Sequence, residues 1–264
     1  MLAFINSFHS FMFPCLSFVT FTTFSVLCQV FQRNDITAYQ GVKEPAAMNT
    51  ILGELQKSNR NWRFAISEPL QRANTTTPEH FGFVYRSDRL VLSGLRRYND
   101  VGDRFHRDPF SALIVSPYSS IPRFALTTVH LFHLNIIYEM GLIPELFKTV
   151  SNDYSANVLF AGDFNAGSPF MTRCQYNNLT VTTDPTYDWL IDFNQDSATW
   201  TNMTTSWARF LAAGKQLVAA SSNANGHVIN MMKEYGLTEE QPDIVLFWYL
   251  VFQSTESLAG LADL

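Results

Sequence analysis

The stretch Asn157-Val-Leu-Phe-Ala-Gly-Asp163-Phe-Asn165-Ala-Gly167 decides how the chain is read. Its unbroken apolar run describes a strand buried on both faces, because a half-exposed strand would alternate apolar and polar side chains. Asp163 and Asn165 stand two residues apart at the carboxyl end. They are expected to leave one face there, in a position suited to hold a phosphate or a water. Asp and Asn also end strands simply by making turns, so the meaning of the pair depends on its surroundings.

Working outward, Phe124-Ala-Leu-Thr-Thr-Val-His130 reads as a second apolar strand ending in a titratable group, and the segment 135–150 between the two as a helix despite Gly141 and Pro144. His133 is expected on that helix. Further strands are expected over 35–42, 61–67, 81–86 and 112–115, with a helix over 45–58 that starts at a proline. No Gly-Ser or Pro-rich linker divides the chain and no internal repeat is present. The fold class implied is α/β. Strand runs this apolar do not suit a one-sided sheet, so a four-layer sandwich is expected, two mixed β-sheets face to face with helices outside.

Composition narrows the function. The chain has 264 residues, enough for a sizeable core, and only 16% are charged against about 25% in ordinary soluble domains. With 18 Lys and Arg against 23 Asp and Glu, the net charge of -5 excludes a protein held to nucleic acid by a broad basic surface. Three cysteines, Cys15, Cys28 and Cys174, are too few and too scattered for a disulfide framework or a structural zinc site. The first 32 residues carry no Asp, Glu, Lys or Arg, and 11–31 is rich in Phe, Val and Leu. Three readings stay open there: a signal peptide ending near residue 28, a membrane span weakened by Pro14, and a buried first strand and helix. The domain proper is then 29–264.

Two further residues give the Asp163 turn a chemical context. A lone histidine on an apolar strand is more often a satisfied core residue than a catalyst, and Glu79, at the start of Glu79-His-Phe-Gly-Phe-Val-Tyr-Arg86, is by itself a polar strand start. Brought together, a carboxylate and an imidazole form a pair able to do acid or base work, the carboxylate fixing the tautomer.

Taken together, these segments resemble the deoxyribonuclease I family within the endonuclease/exonuclease/phosphatase superfamily, over roughly residues 26–249. Gly162-Asp163-Phe-Asn165-Ala is similar to that family's own motif, and Asp35-Ile-Thr-Ala-Tyr-Gln40-Gly41-Val42 resembles its strand ending in Gln-Glu-Val. Ser67-Glu-Pro-Leu-Gln-Arg72 resembles its Ser-Glu-Pro-Leu-Gly-Arg loop, Phe105-His-Arg107-Asp-Pro-Phe110 its phosphate-contacting Phe-Ser-Arg-Glu-Pro-Phe, and the stretch 183–191 a later family segment. The resemblance implies a DNase I-like fold and a divalent-metal-dependent endonuclease, using Mg2+ or Ca2+, that hydrolyses DNA phosphodiester bonds. It implies His130, Glu79 and Asp163 as catalytic residues, Asn165, Arg107 and Arg72 as phosphate ligands, and Glu79 as a weak metal ligand. It further implies a secreted monomer with no small-molecule cofactor. The sequons at Asn74, Asn178 and Asn202 fit a secreted glycoprotein and equally fit chance in a chain rich in Asn and Thr.

The departures are as specific as the matches. Gly41 stands where the family has a metal-binding Glu. Ala208, in Ser206-Trp-Ala208-Arg-Phe-Leu-Ala-Ala-Gly214, stands where it has a catalytic Asp. Phe247 and Trp248 replace its closing Asp-His, Asn6 is the counterpart of its first-strand Asn, and its second disulfide is gone, with Ser168 and Thr204 or Thr205 in place of the cysteines. Cys174 is then expected as a free thiol. Each missing acid-base group costs about 10^2 to 10^4 in rate. Two readings follow: an endonuclease with activity lost or severely impaired, and a non-catalytic relative that binds DNA or a protein partner such as actin. For the actin reading the relevant segment is Trp62-Arg-Phe-Ala-Ile66, which lies before the Ser-Glu-Pro loop.

Overall fold

The run 157–164 looks uniformly apolar because it is covered from both sides, and this coverage defines the layers of the fold. The computed structural model describes residues 2–7, 21–42, 45–70, 79–195, 207–221, 226–229, 234–236 and 247–252. In chain order its first elements are β1 (Leu2–Ser7), α1 (Phe21–Gln32), β2 (Ile36–Val42), α2 (Ala47–Ser58), β3 (Trp62–Ile66) and β4 (His80–Arg86). Next come β5 (Val91–Arg97), β6 (Phe110–Val115), β7 (Arg123–His130), α3 (Ile136–Asp153) and β8 (Val158–Asp163). The last are α4 (Arg173–Asn177), α5 (Thr180–Thr183), β9 (Tyr187–Trp189), β10 (Ala208–Ala213), α6 (Lys215–Ser221), β11 (Gly226–Ile229) and β12 (Phe247–Phe252).

The strands form two six-stranded mixed sheets, ordered β11-β12-β1-β2-β4-β3 and β5-β6-β7-β8-β10-β9. The pairs β1/β2 and β7/β8 are parallel and the other neighbours antiparallel. Side-chain alternation assigns each strand residue to a layer. Ile36, Ala38, Phe81 and Phe83 of one sheet join Leu126, Leu159, Ala161 and Phe210 of the other in a core between the sheets. On β8 the intervening Val158 and Phe160 turn the other way and pack with Met140, Ile143, Leu146 and Val150 of α3. The opposite outer layer buries Tyr39, Trp62 and Val84 against Val30 of α1 and Met48 and Leu55 of α2. The result is the four-layer α/β sandwich. At about 25 cal/mol per Å² of apolar area, a strand buried on both faces gains roughly twice what an exposed-face strand gains.

The parallel pairings matter for function because they bring the carboxyl ends of β2, β7 and β8 to one end of the molecule. The antiparallel β4 and β10 begin at that same end, next to Glu79 and at Ala208. Among the described residues, no helix is long and apolar enough to cross a membrane.

Candidate functional site

His130 and Asp163 are register partners in the parallel β7/β8 pair, and Asp163 faces Ala208 in the antiparallel β8/β10 pair. One row across the sheet therefore reads His130, Asp163, Ala208. Along it the His130 Nε2 to Asp163 Oδ2 distance is 3.7 Å. Glu79 reaches this row from the other sheet: its Oε1 lies 2.9 Å from His130 Nδ1. Its Oε2 forms an ion pair with Arg107 Nε. Glu79, His130, Asp163 and Asn165 are all buried.

The charge balance of the cluster follows from these contacts. Burial pushes the Glu79 carboxyl up, but His130 and then Arg107 outweigh it and hold the group at about 2, against an ordinary value of 4.5. Glu79 is thus an anion at any physiological pH. A carboxylate accepting at Nδ1 fixes the hydrogen on that nitrogen and turns Nε2 toward Asp163, the orientation an imidazole needs to exchange a proton at Nε2.

Asn165 is placed differently from the strand-alternation expectation. The strand ends at Asp163, and Asp163 Oδ1 accepts from the Asn165 backbone N–H at 2.8 Å, closing a local turn that sets Asn165 in the left-handed region at φ 47°. Asn165 Nδ2 donates one hydrogen to Leu131 O at 2.7 Å, so the side chain sits beside the His130 strand end through the turn and not through a shared strand face. His133 also departs from expectation. It lies in a 3-10 turn, His133–Asn135, ahead of α3.

Of the remaining sequence-nominated positions, Arg72 lies outside the described residues, as do the sequons at Asn74 and Asn202. Asn178 is described and exposed. Gly41 sits at an irregularity in the β2/β4 pairing, with φ 79°, a backbone that favours glycine. Backbone pairing sets Trp248 opposite Asn6 and Asn6 beside Gln40, with Phe247 beside Ser7. Those substituted positions therefore share the end of the fold that carries Glu79 and His130. Cys28 and Cys174 are free thiols.

Two contributors escaped the sequence reading. Gln40 donates from Nε2 to Val129 O at 2.8 Å and accepts at Oε1 from the Asp163 N–H at 3.4 Å, clamping the ends of β7 and β8 from the opposite sheet. Glu139 of α3, itself buried, accepts from the backbone N–H groups of His106 at 3.0 Å and Phe132 at 2.9 Å. It ties the Arg107 loop to the segment leaving His130. A buried Glu on the first turn of a helix was the only available signal, and helix starts favour acidic residues in any case.

As a cation site the described cluster is poorly furnished. Both oxygens of Glu79 are engaged, one by a guanidinium, and Gly41 brings no side-chain donor. Among the described residues no group of three or more His, Cys, Asp or Glu is arranged to hold a metal ion.

No protein-family model matches the chain. It is 28% identical to deoxyribonuclease-1 of Rattus norvegicus over 239 residues, which cover 87% of this chain and 83% of that protein. It is 28% identical to deoxyribonuclease gamma of Homo sapiens over 228 residues, covering 82% and 73%. Among solved structures, an endonuclease/exonuclease/phosphatase from Bacteroides vulgatus superposes with a TM-score of 0.58 at 11% identity, covering 95% of this chain and 98% of that one. The two-sheet sandwich is the fold of that solved structure. In sequence, the chain is similar to these deoxyribonucleases over most of its length.

Proposed function

We propose that this chain is a deoxyribonuclease-like protein that holds a DNA phosphodiester beside Glu79, Arg107, His130 and Asp163 and has lost most or all of its hydrolytic activity. The observation that supports the reading is the row His130, Asp163, Ala208: His130 is held by Glu79 at Nδ1, and a methyl group faces Asp163 where the family resemblance places a carboxylate. His130 serves as the acid-base group at Nε2, oriented by Glu79 at Nδ1. Asp163 orients a water, and Asn165 and Arg107 contact phosphate oxygens, Asn165 through its second amide hydrogen. Arg72 would add a further cation.

The residues present do not fit a tight Mg2+ or Ca2+ site of the kind the resemblance implies. A hard divalent cation needs several oxygen ligands, and to reach Glu79 it would have to displace Arg107. No step is assigned to a metal. A general acid-base group acting alone supplies about 10^2 to 10^4 in rate, far below the total a phosphodiesterase needs. Secretion and glycosylation, with Asn178 as an exposed acceptor, are part of the same proposal. A binding role toward a protein partner such as actin has one feature in its favour: β3 ends the strand order of its sheet, a position open to strand addition.

The test is plasmid nicking with Mg2+ and Ca2+ and an EDTA control, beside an active deoxyribonuclease I at equal concentration. The expected rate is lower by at least about 10^2, the share of one acid-base group. Nicking within tenfold of the active enzyme would overturn the loss of activity.

A further inference from the structure

Beside the phosphate-handling row lies a continuous series of rings. The centroids of His106 and Phe132 are 4.3 Å apart with planes at 16°, Phe132 and His133 are 5.0 Å apart, His133 and Phe170 4.8 Å, and Phe170 and Trp207 5.5 Å. Trp207 is buried in the core between the sheets, while His106, Phe132, His133 and Phe170 are half-buried and border solvent. Its members are anchored in the site: His106 precedes Arg107, Phe132 follows His130 by two residues, and Trp207 precedes Ala208. Glu139 accepts from the backbone N–H groups of both His106 and Phe132 and so ties together the two segments at this end of the series.

The charge of the protein restricts what can bind here. With a net charge of -5, and with Arg107 already paired to Glu79, little affinity for nucleic acid can come from releasing counterions along the backbone. The rings offer the other source of affinity, stacking on base faces, which is indifferent to base identity and needs bases that are not already stacked in a duplex. We propose that the series His106, Phe132, His133 and Phe170, backed by the buried Trp207, is a base-stacking platform that makes single-stranded DNA the ligand of this site, an unpaired base lying on the rings next to the phosphate at His130. The proposal rests on the phosphodiester reading given above.

Fluorescence anisotropy on the full chain tests it with three labelled probes: an oligothymidine of about 12 nucleotides, within the span of one binding face, the same backbone carrying abasic residues, and a duplex of equal length. The intact single strand is expected to bind roughly 5- to 100-fold more tightly than the abasic strand, the range of one base-ring stack. Phe132→Leu and Phe170→Leu, which keep apolar volume and remove the ring, should each reduce that preference. Equal binding of intact and abasic strands, or duplex binding as tight as single-strand binding, overturns the proposal. So does an undiminished base preference in leucine variants that are folded by circular dichroism. The probe comparison needs no variant, so it stands even if a leucine variant fails to fold. The two readings fail separately. Intact and abasic strands that bind equally and are displaced by inorganic phosphate leave a phosphate site without a platform. Base-dependent binding that phosphate does not displace keeps the platform and removes the phosphate site.

Discussion

Glu79 is chemically the most constrained residue of the site, because a buried carboxylate survives as an anion only through the partners beside it, here the Arg107 guanidinium and the His130 ring nitrogen. Its folded value of about 2 lies below the ordinary 4.5, so the unfolded chain binds the proton more readily. The stability this difference contributes is complete above about pH 4.5 and is lost as the pH falls toward 2. Glu79→Gln removes that pH dependence and leaves Arg107 without its partner, a change expected to cost about 3 to 5 kcal/mol at pH 7. Urea unfolding at a series of pH values checks both: the gap between variant and parent should be large at pH 7 and close toward pH 2. A gap unchanged by pH would mean that the pair is not ionic. The sequence suggested Glu79 and His130 as partners by residue type alone. That Arg107 pairs with Glu79 was not legible, since β4 and β5 lie between the two and only the folded chain brings them together.

At the scale of elements, the close approach of β7 and β8 depends on Gly162. A Cβ there would stand 1.9 Å from Val129 O and 3.0 Å from Gln40 Nε2. The first contact is with backbone and cannot be relieved by a rotamer change. Gly162→Ala is therefore expected to cost about 3 kcal/mol, the upper end of what over-packing costs, and to loosen the Gln40 clamp on Asp163. Chemical denaturation measures the first effect and protection of the Asp163 amide in hydrogen exchange the second; a variant within about 0.5 kcal/mol of the parent, the ordinary surface-mutation range, would contradict this. Strands β2, β4, β7 and β8 were legible as short runs rich in apolar and β-branched or aromatic residues, that of β8 being unbroken up to Asp163. Among the described strands β5, β9, β10, β11 and β12 were not, and β5 and β10 show the reason. β5 is largely exposed and lacks an apolar face. β10 reads Ala-Arg-Phe-Leu-Ala-Ala, and its Arg209 looks like a surface residue. It is in fact fully buried, donating to Ile191 O at 3.0 Å and Ala166 O at 2.7 Å, and lies over the rings of Tyr176, Trp189 and Phe193.

For the whole molecule, the substituted positions converge on one end of the sandwich, which makes their joint reversal an informative experiment. Gly41→Glu, Ala208→Asp, Phe247→Asp and Trp248→His together should yield measurable plasmid nicking in Mg2+ and Ca2+, abolished by EDTA, while each alone yields almost none. Groups that act as a unit are strongly non-additive. The structure adds specific costs. Glu at position 41 must adopt a left-handed backbone, about 1 to 2 kcal/mol, and Asp at 208 sets a second carboxylate directly across from Asp163, a destabilising like-charge pair. Circular dichroism must therefore show a folded quadruple variant first. A folded variant without nicking would show that these residues are not the counterparts of the lost catalytic groups.

By itself the sequence determined the layered α/β fold and the residue types gathered at its functional end. Burial on both faces leaves a continuous apolar run over 158–162, and Gly162-Asp163-Phe-Asn165 marks the turn at its end, whose geometry the structure supplies. Only the tertiary structure decided which groups share charge, that Gln40 and Glu139 clamp the strand ends, and that rings from four separate segments form one series. Those contacts join residues dozens of positions apart, and pairing across such distances is set by the packing of two sheets and leaves no periodic trace in the chain.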